Sequence, residues 1–187
     1  MAMKTSYSRI KKEDTAAIVI DIQERLYSLI NEHDKLTNNL VRLINGLKSL
    51  GIPFIVTQQY TKGLGRTIQL VKEAIGDFTH IEKQSFSCCG DEVFLNTLQN
   101  TGKKNIILMG IESHVCVLQT ALDLLENGYQ PVLIEDCVGS RFPNDKKIAI
   151  ERMRRAGAII STYESILFEL TEVSGTEQFK VISKIVK

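Results

Sequence analysis

Apolar and polar residues alternate along this chain in two rhythms. Short runs rich in β-branched residues recur at 16–22 (AAIVIDI), 53–59 (PFIVTQQ), 79–83, 105–110 (NIILMG), 131–137 (PVLIEDC) and 158–162 (AIIST). Runs of this length and composition read as strands buried on both faces. Between them, apolar residues return at helical spacing over 36–51, 67–75, 91–99, 113–127 and 144–156. Two short helices follow the sixth strand. Glycine just past the last turn is a common helix stop, and Gly51, Gly128 and Gly157 stand at such positions.

Strands that alternate with helices require right-handed crossovers and a mainly parallel sheet. The expected architecture is therefore α/β: a three-layer Rossmann-like fold with a six-stranded, mainly parallel sheet and helices on both faces. It is expected to form one domain across 1–187, a length that can bury a substantial core. The formal net charge is +1 and no run of Lys or Arg exceeds two residues, so a nucleic-acid partner is not expected. No apolar run approaches the span of a bilayer, and the N-terminal stretch lacks the apolar segment of a secretory signal. Neither a membrane partner nor secretion is expected. Of the four cysteines, only the vicinal pair Cys88–Cys89 is regularly spaced, and all four read as reduced thiols in a cytoplasmic compartment.

In sheets of this kind, sites form outside the carboxyl ends of the strands. Three chemistry-bearing side chains fall there: Asp21 ends the first strand, Lys83 ends the third, and Cys116 follows the fourth. Gly110 allows a sharp exit from the fourth strand, and Ser113 is a good N-cap, which puts Cys116 in the first turn of a helix. There the helix dipole favours a thiolate, and free N–H groups can hold an oxyanion. The alternative is a small buried apolar side chain. Asp21, at the end of a buried strand, must be solvated, paired or functional. Lys83 either points into solvent or, beside Asp21 and Cys116, favours the charged forms of both.

His114 is two residues from Cys116, a spacing that turns it away from the thiol on a helix. His33 and His80 read as surface residues. There is no HxH, HExxH or CxxC, so no metal site and no cofactor are expected. The stretch GLGR (63–66) lacks phosphate-loop spacing and reads as a flexible loop, a candidate lid. Cys88–Cys89 reads as a pair of loop thiols, with a redox switch as the alternative.

Together, IVIDIQ around Asp21, EKQSFS around Lys83 and GIESHVCVLQTALDLLENGY around Cys116 resemble the isochorismatase-like superfamily of cysteine hydrolases. The stretches TQQYTKGLG and ERMRRAGA…STYESILFEL are similar to its isochorismatase-domain-containing subgroup. The resemblance implies that Asp21 is the general base, Lys83 the lysine that holds it, and Cys116 the nucleophile that forms a thioester. It implies backbone oxyanion donors at Glu112 and Cys116, with a cis peptide at Ile111–Glu112. Gln23 matches a residue near the triad, and Leu26, Gln58, Tyr60 and Phe86, just after strand ends, are expected to line a pocket for a small, mostly neutral substrate. Where nicotinamidases carry a metal-binding aspartate and histidines, this chain has VTQQYTKGLG, so no catalytic metal is expected. True isochorismatases lack the cysteine, so an amide, ureido or carbamoyl bond is the expected target. The family also implies a homo-oligomer, a dimer or larger. A non-catalytic scaffold with the same fold is the alternative.

Overall fold

The six apolar runs pair into one sheet in the computed structural model, which describes residues 9–187. The strands are β1 (Thr15–Ile20), β2 (Phe54–Gln59), β3 (His80–Lys83), β4 (Asn105–Ile111), β5 (Gln130–Gly139) and β6 (Ile159–Ser161), in the order β3-β2-β1-β4-β5-β6. Every pairing is parallel. The helices are α1 (Glu24–Tyr27), α2 (His33–Ser49), α3 (Thr61–Leu64), α4 (Gln69–Ile75), α5 (Glu92–Asn100), α6 (Leu118–Glu126), α7 (Pro143–Ala156), α8 (Tyr163–Thr171) and α9 (Glu177–Val186).

Residue alternation on the central strands splits the core in two. Ala17, Val19, Ile107 and Met109 face one side, where Leu40, Leu43 and Leu47 of α2 pack with apolar residues of α4, α8 and α9. Ala16, Ile18, Ile106 and Leu108 face the other, against Phe94 and Leu98 of α5, Ala121 and Leu124 of α6, and Met153 of α7. A strand covered on both faces carries no polar alternation, which is why β1 is buried at all six positions.

Several boundaries differ from the expectation. The stretch after β2 is not all loop: Thr61–Leu64 forms one helical turn, and α4 begins at Gln69 because Thr67 is drawn into an isolated bridge with Gln23. Strand β5 extends to Gly139, past a register shift: Leu108 pairs with Leu133 but Gly110 with Val138. That bulge carries Glu135, Asp136 and Cys137. Gly110 sits at φ +133, and a Cβ there would strike the Ile20 carbonyl oxygen. Only glycine lets β4 approach β1 this closely at the end of both strands.

Candidate active site

Strand order brings the ends of β1, β2, β3 and β4 together. Asp21 is the first residue past β1. Its φ of +51 turns the chain, and its N–H donates to the Thr57 carbonyl at 3.3 Å. Register pairs Ile20 with Thr57, so the Thr57 side chain reaches the Asp21 carboxylate, and its hydroxyl donates to Oδ1 at 2.8 Å. Lys83 closes β3 beside Gln59. Its Nζ lies 2.7 Å from Asp21 Oδ2, with both side chains fully buried.

The ammonium has three protons and three neutral acceptors: Gln59 Oε1 at 2.7 Å, the Ser85 carbonyl at 3.1 Å and the Phe86 carbonyl at 3.0 Å. With those acceptors occupied, the contact to Asp21 is an ion pair, and Oδ2 receives no aligned hydrogen bond. Burial works against the Lys83 charge. The Asp21 carboxylate, with Cys88 and Cys116 nearby, overcomes it, and the net effect raises the lysine above its ordinary range.

Cys116 does not lie in an α-helical first turn. After β4 the Ile111–Glu112 peptide is cis, and residues Ser113–Val117 form a wide π turn before α6 begins. The Glu112 carbonyl accepts from Val115 N at 3.1 Å and Val117 N at 3.2 Å. Ser113 is not the cap that the sequence predicts: Glu112 holds that position, and the buried Ser113 hydroxyl has no partner. The wide turn leaves Cys116 6% exposed, near enough to Asp21 for the carboxylate's charge to act on its thiol.

Burial raises the Cys116 pKa, the Asp21 charge raises it further, and Lys83 pulls it back only in part. The resting group is a neutral thiol, where dipole reasoning from the sequence favours a thiolate. The difference is desolvation and a carboxylate that no dipole argument included.

The buried Glu112 side chain is held by the β5–α7 loop. Its Oε2 accepts from Arg141 N at 3.0 Å and Arg141 Nε at 3.1 Å. His114 turns away from the thiol, as its spacing predicts: Nδ1 is 3.0 Å from Ser140 Oγ, and Nε2 is 3.8 Å from Asp145 Oδ2.

The residues expected to line a substrate pocket divide into two groups. Gln23 is fully buried and its amide is spent on the chain itself. Oε1 accepts from Gln59 N at 2.7 Å, and Nε2 donates to the carbonyls of Gln59 at 3.0 Å and Gly65 at 2.8 Å. Gln58 is buried too, donating to Thr67 Oγ1 at 2.9 Å and accepting from Thr61 Oγ1 at 2.9 Å. Leu26 packs against the α2-side core. Tyr60 (47% exposed) and Phe86 (54% exposed) stand open on the rim. Among the described residues, no group of three His, Cys, Asp or Glu could hold a metal ion. No helix there is long and apolar enough to cross a membrane.

Sequence reasoning missed Thr57, Gln59 and Cys88. The first two were findable, since alternation along VTQQ puts them on one face of β2, beside Asp21 in register. Cys88 Sγ lies 3.8 Å from Thr57 Oγ1, and its N–H donates to Thr120 Oγ1 of α6 at 2.9 Å.

Comparison with known proteins gives the family and the fold. The isochorismatase domain model matches residues 15–165. The chain is 42% identical to isochorismatase family protein 1B of Dictyostelium discoideum, over 99% of this chain and 92% of that protein. Among solved structures, a protein described as the MAR1 ribonuclease of Caenorhabditis elegans superposes with a TM-score of 0.89 at 39% identity, covering 96% of this chain and 92% of that one. The YcaC gene product of Escherichia coli, described as an octameric hydrolase of unknown specificity, gives 0.91 at 27% identity, covering 97% and 91%.

Proposed function

The chain belongs to the isochorismatase family of hydrolases, and we propose that it cleaves a small amide, ureido or carbamoyl C–N bond through a thioester on Cys116. The observation that carries this reading is the buried Asp21 carboxylate held between Lys83 Nζ at 2.7 Å and the Thr57 hydroxyl at 2.8 Å, near enough to the buried Cys116 thiol for its charge to raise that thiol's pKa. A base held in contact with a protonated nucleophile can take its proton at the moment of attack.

The steps balance without a cofactor. The Cys116 sulfur attacks the carbonyl carbon as Asp21 takes the thiol proton. The Glu112 and Cys116 backbone N–H groups receive the oxyanion. The C–N bond breaks, and the leaving nitrogen takes the proton from Asp21. Water then attacks the thioester, gives its proton to Asp21, and the thiol returns as the acid departs. Lys83, with its three protons committed to neutral acceptors, acts as a fixed charge. Gln23 and Gln58, whose amides are engaged within the chain, are braces in this reading, while Tyr60 and Phe86 remain as walls. Four unpaired cysteines fit a reducing, cytoplasmic setting. A homo-oligomer is favoured by the octameric E. coli relative.

The test is an acid-quenched single turnover against a panel of amides, ureides and carbamoyl compounds, read by intact mass. RNA is included because of the C. elegans relative. The expected result is an acyl adduct mapped to Cys116, with Cys116→Ala losing the adduct and about 10⁴-fold or more of the turnover. Turnover retained by Cys116→Ala would sink the assignment.

A further inference from the structure

Thr57 has one hydroxyl proton, and it goes to Asp21 Oδ1, because an ionised carboxylate can only accept. In the 3.8 Å contact between Thr57 Oγ1 and Cys88 Sγ, the thiol is therefore the donor. A continuous path runs from Cys88 S–H through Thr57 to Asp21. Asp21 thus lies one hydroxyl away from the Cys88 sulfur, and its charge also acts on the Cys116 thiol. Both thiols sit in the same buried cluster, and the Cys88 N–H donates at 2.9 Å to Thr120 Oγ1, four residues after Cys116 along the segment that carries it. Nothing in the proposed hydrolysis uses Cys88. Its neighbour Cys89 is the less buried of the two, and its N–H donates to Ser87 Oγ at 3.2 Å.

We propose that Cys88 is a resolving thiol for Cys116: when a hydroperoxide oxidises Cys116, the two sulfurs close a reversible disulfide. This rests on the reading of Cys116 as the reactive nucleophile. In the first step the Cys116 sulfur attacks the hydroperoxide, the O–O bond breaks, and sulfenic acid forms as water or an alcohol leaves. The sulfur is oxidised and the hydroperoxide reduced. In the second step the Cys88 sulfur attacks the Cys116 sulfur. The S–S bond forms, the S–O bond breaks, and the Cys88 proton, relayed through Thr57 and Asp21, leaves with the oxygen as water. The enzyme is then off, because its nucleophile is capped, yet a thiol reductant restores it. Without Cys88, the sulfenic acid would continue to sulfinic acid, which thiols do not reverse. The redox partner of Cys88 is thus Cys116 across the site, not the adjacent Cys89.

The experiment treats the purified full chain with hydrogen peroxide, blocks free thiols and maps peptides. Trypsin leaves Cys88 and Cys89 on one fragment and Cys116 and Cys137 on another, so a glutamate-specific protease is added to separate Cys116 from Cys137. The expected product is a Cys88–Cys116 cross-link in wild type and in Cys89→Ser, lost in Cys88→Ser, where Cys116 instead appears as sulfinic acid. Wild type alone decides the matter if Cys88→Ser folds poorly. Cys116 sulfinic acid beside a free Cys88, or a Cys88–Cys89 cross-link, overturns the proposal. A Cys116 that reacts with neither peroxide nor iodoacetamide overturns the nucleophile assignment itself.

Discussion

Replacing Asp21 by Asn should make Cys116 more reactive towards an alkylating agent while abolishing turnover. The substitution keeps the side chain's size and removes its charge. Burial of the thiol is unchanged, but the charge by which Asp21 raises the Cys116 pKa disappears, and the pull of Lys83 is left unopposed. A full charge at this range moves a neighbour's pKa by about 1–3 units, so the thiolate fraction at neutral pH rises about tenfold to thousandfold. A less basic thiolate is a weaker nucleophile, with a Brønsted slope of about 0.4–0.5, so alkylation gains about threefold to sixtyfold.

Hydrolysis moves the other way, because no group remains to carry the proton from sulfur to the leaving nitrogen. A loss of about 10⁴-fold is expected. The assay is limiting iodoacetamide at neutral pH, quantified at Cys116 by mass spectrometry, beside turnover of the same samples. Leaving Lys83 buried with only neutral acceptors costs about 3–5 kcal/mol, so a circular-dichroism melt must first show that the variant is folded. Slower or unchanged alkylation in a folded variant, or turnover that survives, would refute the reasoning.

Other consequences are as direct. Thr57→Val keeps the shape of the side chain but removes the donor to Asp21 Oδ1, and should cost about 1.5–3 kcal/mol in urea unfolding. Gln23→Ala strips partners from Gln59 N, Gln59 O and Gly65 O, and should cost about 2–4 kcal/mol, read as a lowered Tm. Burial holds the Cys88 thiol up at about 12 against an ordinary 9.0. The folded state therefore keeps a proton that the unfolded chain releases. Its stability is whole below pH 9.0 and is lost as pH rises towards 12, by about 1.4 kcal/mol per pH unit from this group. Urea unfolding under reductant should show that slope, flattened by one proton in Cys88→Ala.

The sheet was legible because its strands are short, apolar and β-branched, and because each is separated from the next by a segment with helical period. The placement of Asp21, Lys83 and Cys116 at strand ends was legible for the same reason, since a parallel sheet gathers its strand ends. What escaped were features shorter than a period. Thr61–Leu64 has too few residues to show one, and the π turn at Ser113–Val117 has the same composition as a helix start. Ser113 failed as a cap because Glu112, not Ser113, occupies the cap position. The ionisation of Cys116 escaped for a different reason. It is set by burial and by Asp21, some ninety-five positions away in sequence, and no local pattern records either.

The strand order also dictates when the site comes into being. Strands β1, β2 and β3 are neighbours in sequence and in space, but β1 pairs with β4 across a long gap, Thr15 with Asn105. Contacts between distant segments form late, because their loop-closure entropy must be met first. A growing chain released as far as β3 holds Asp21 and Lys83, with one edge of β1 bare. Cys116 follows β4 in the chain and arrives after it. During synthesis, then, Cys116 reaches this end of the sheet only once β4 has joined it, with β5 and β6 still to follow.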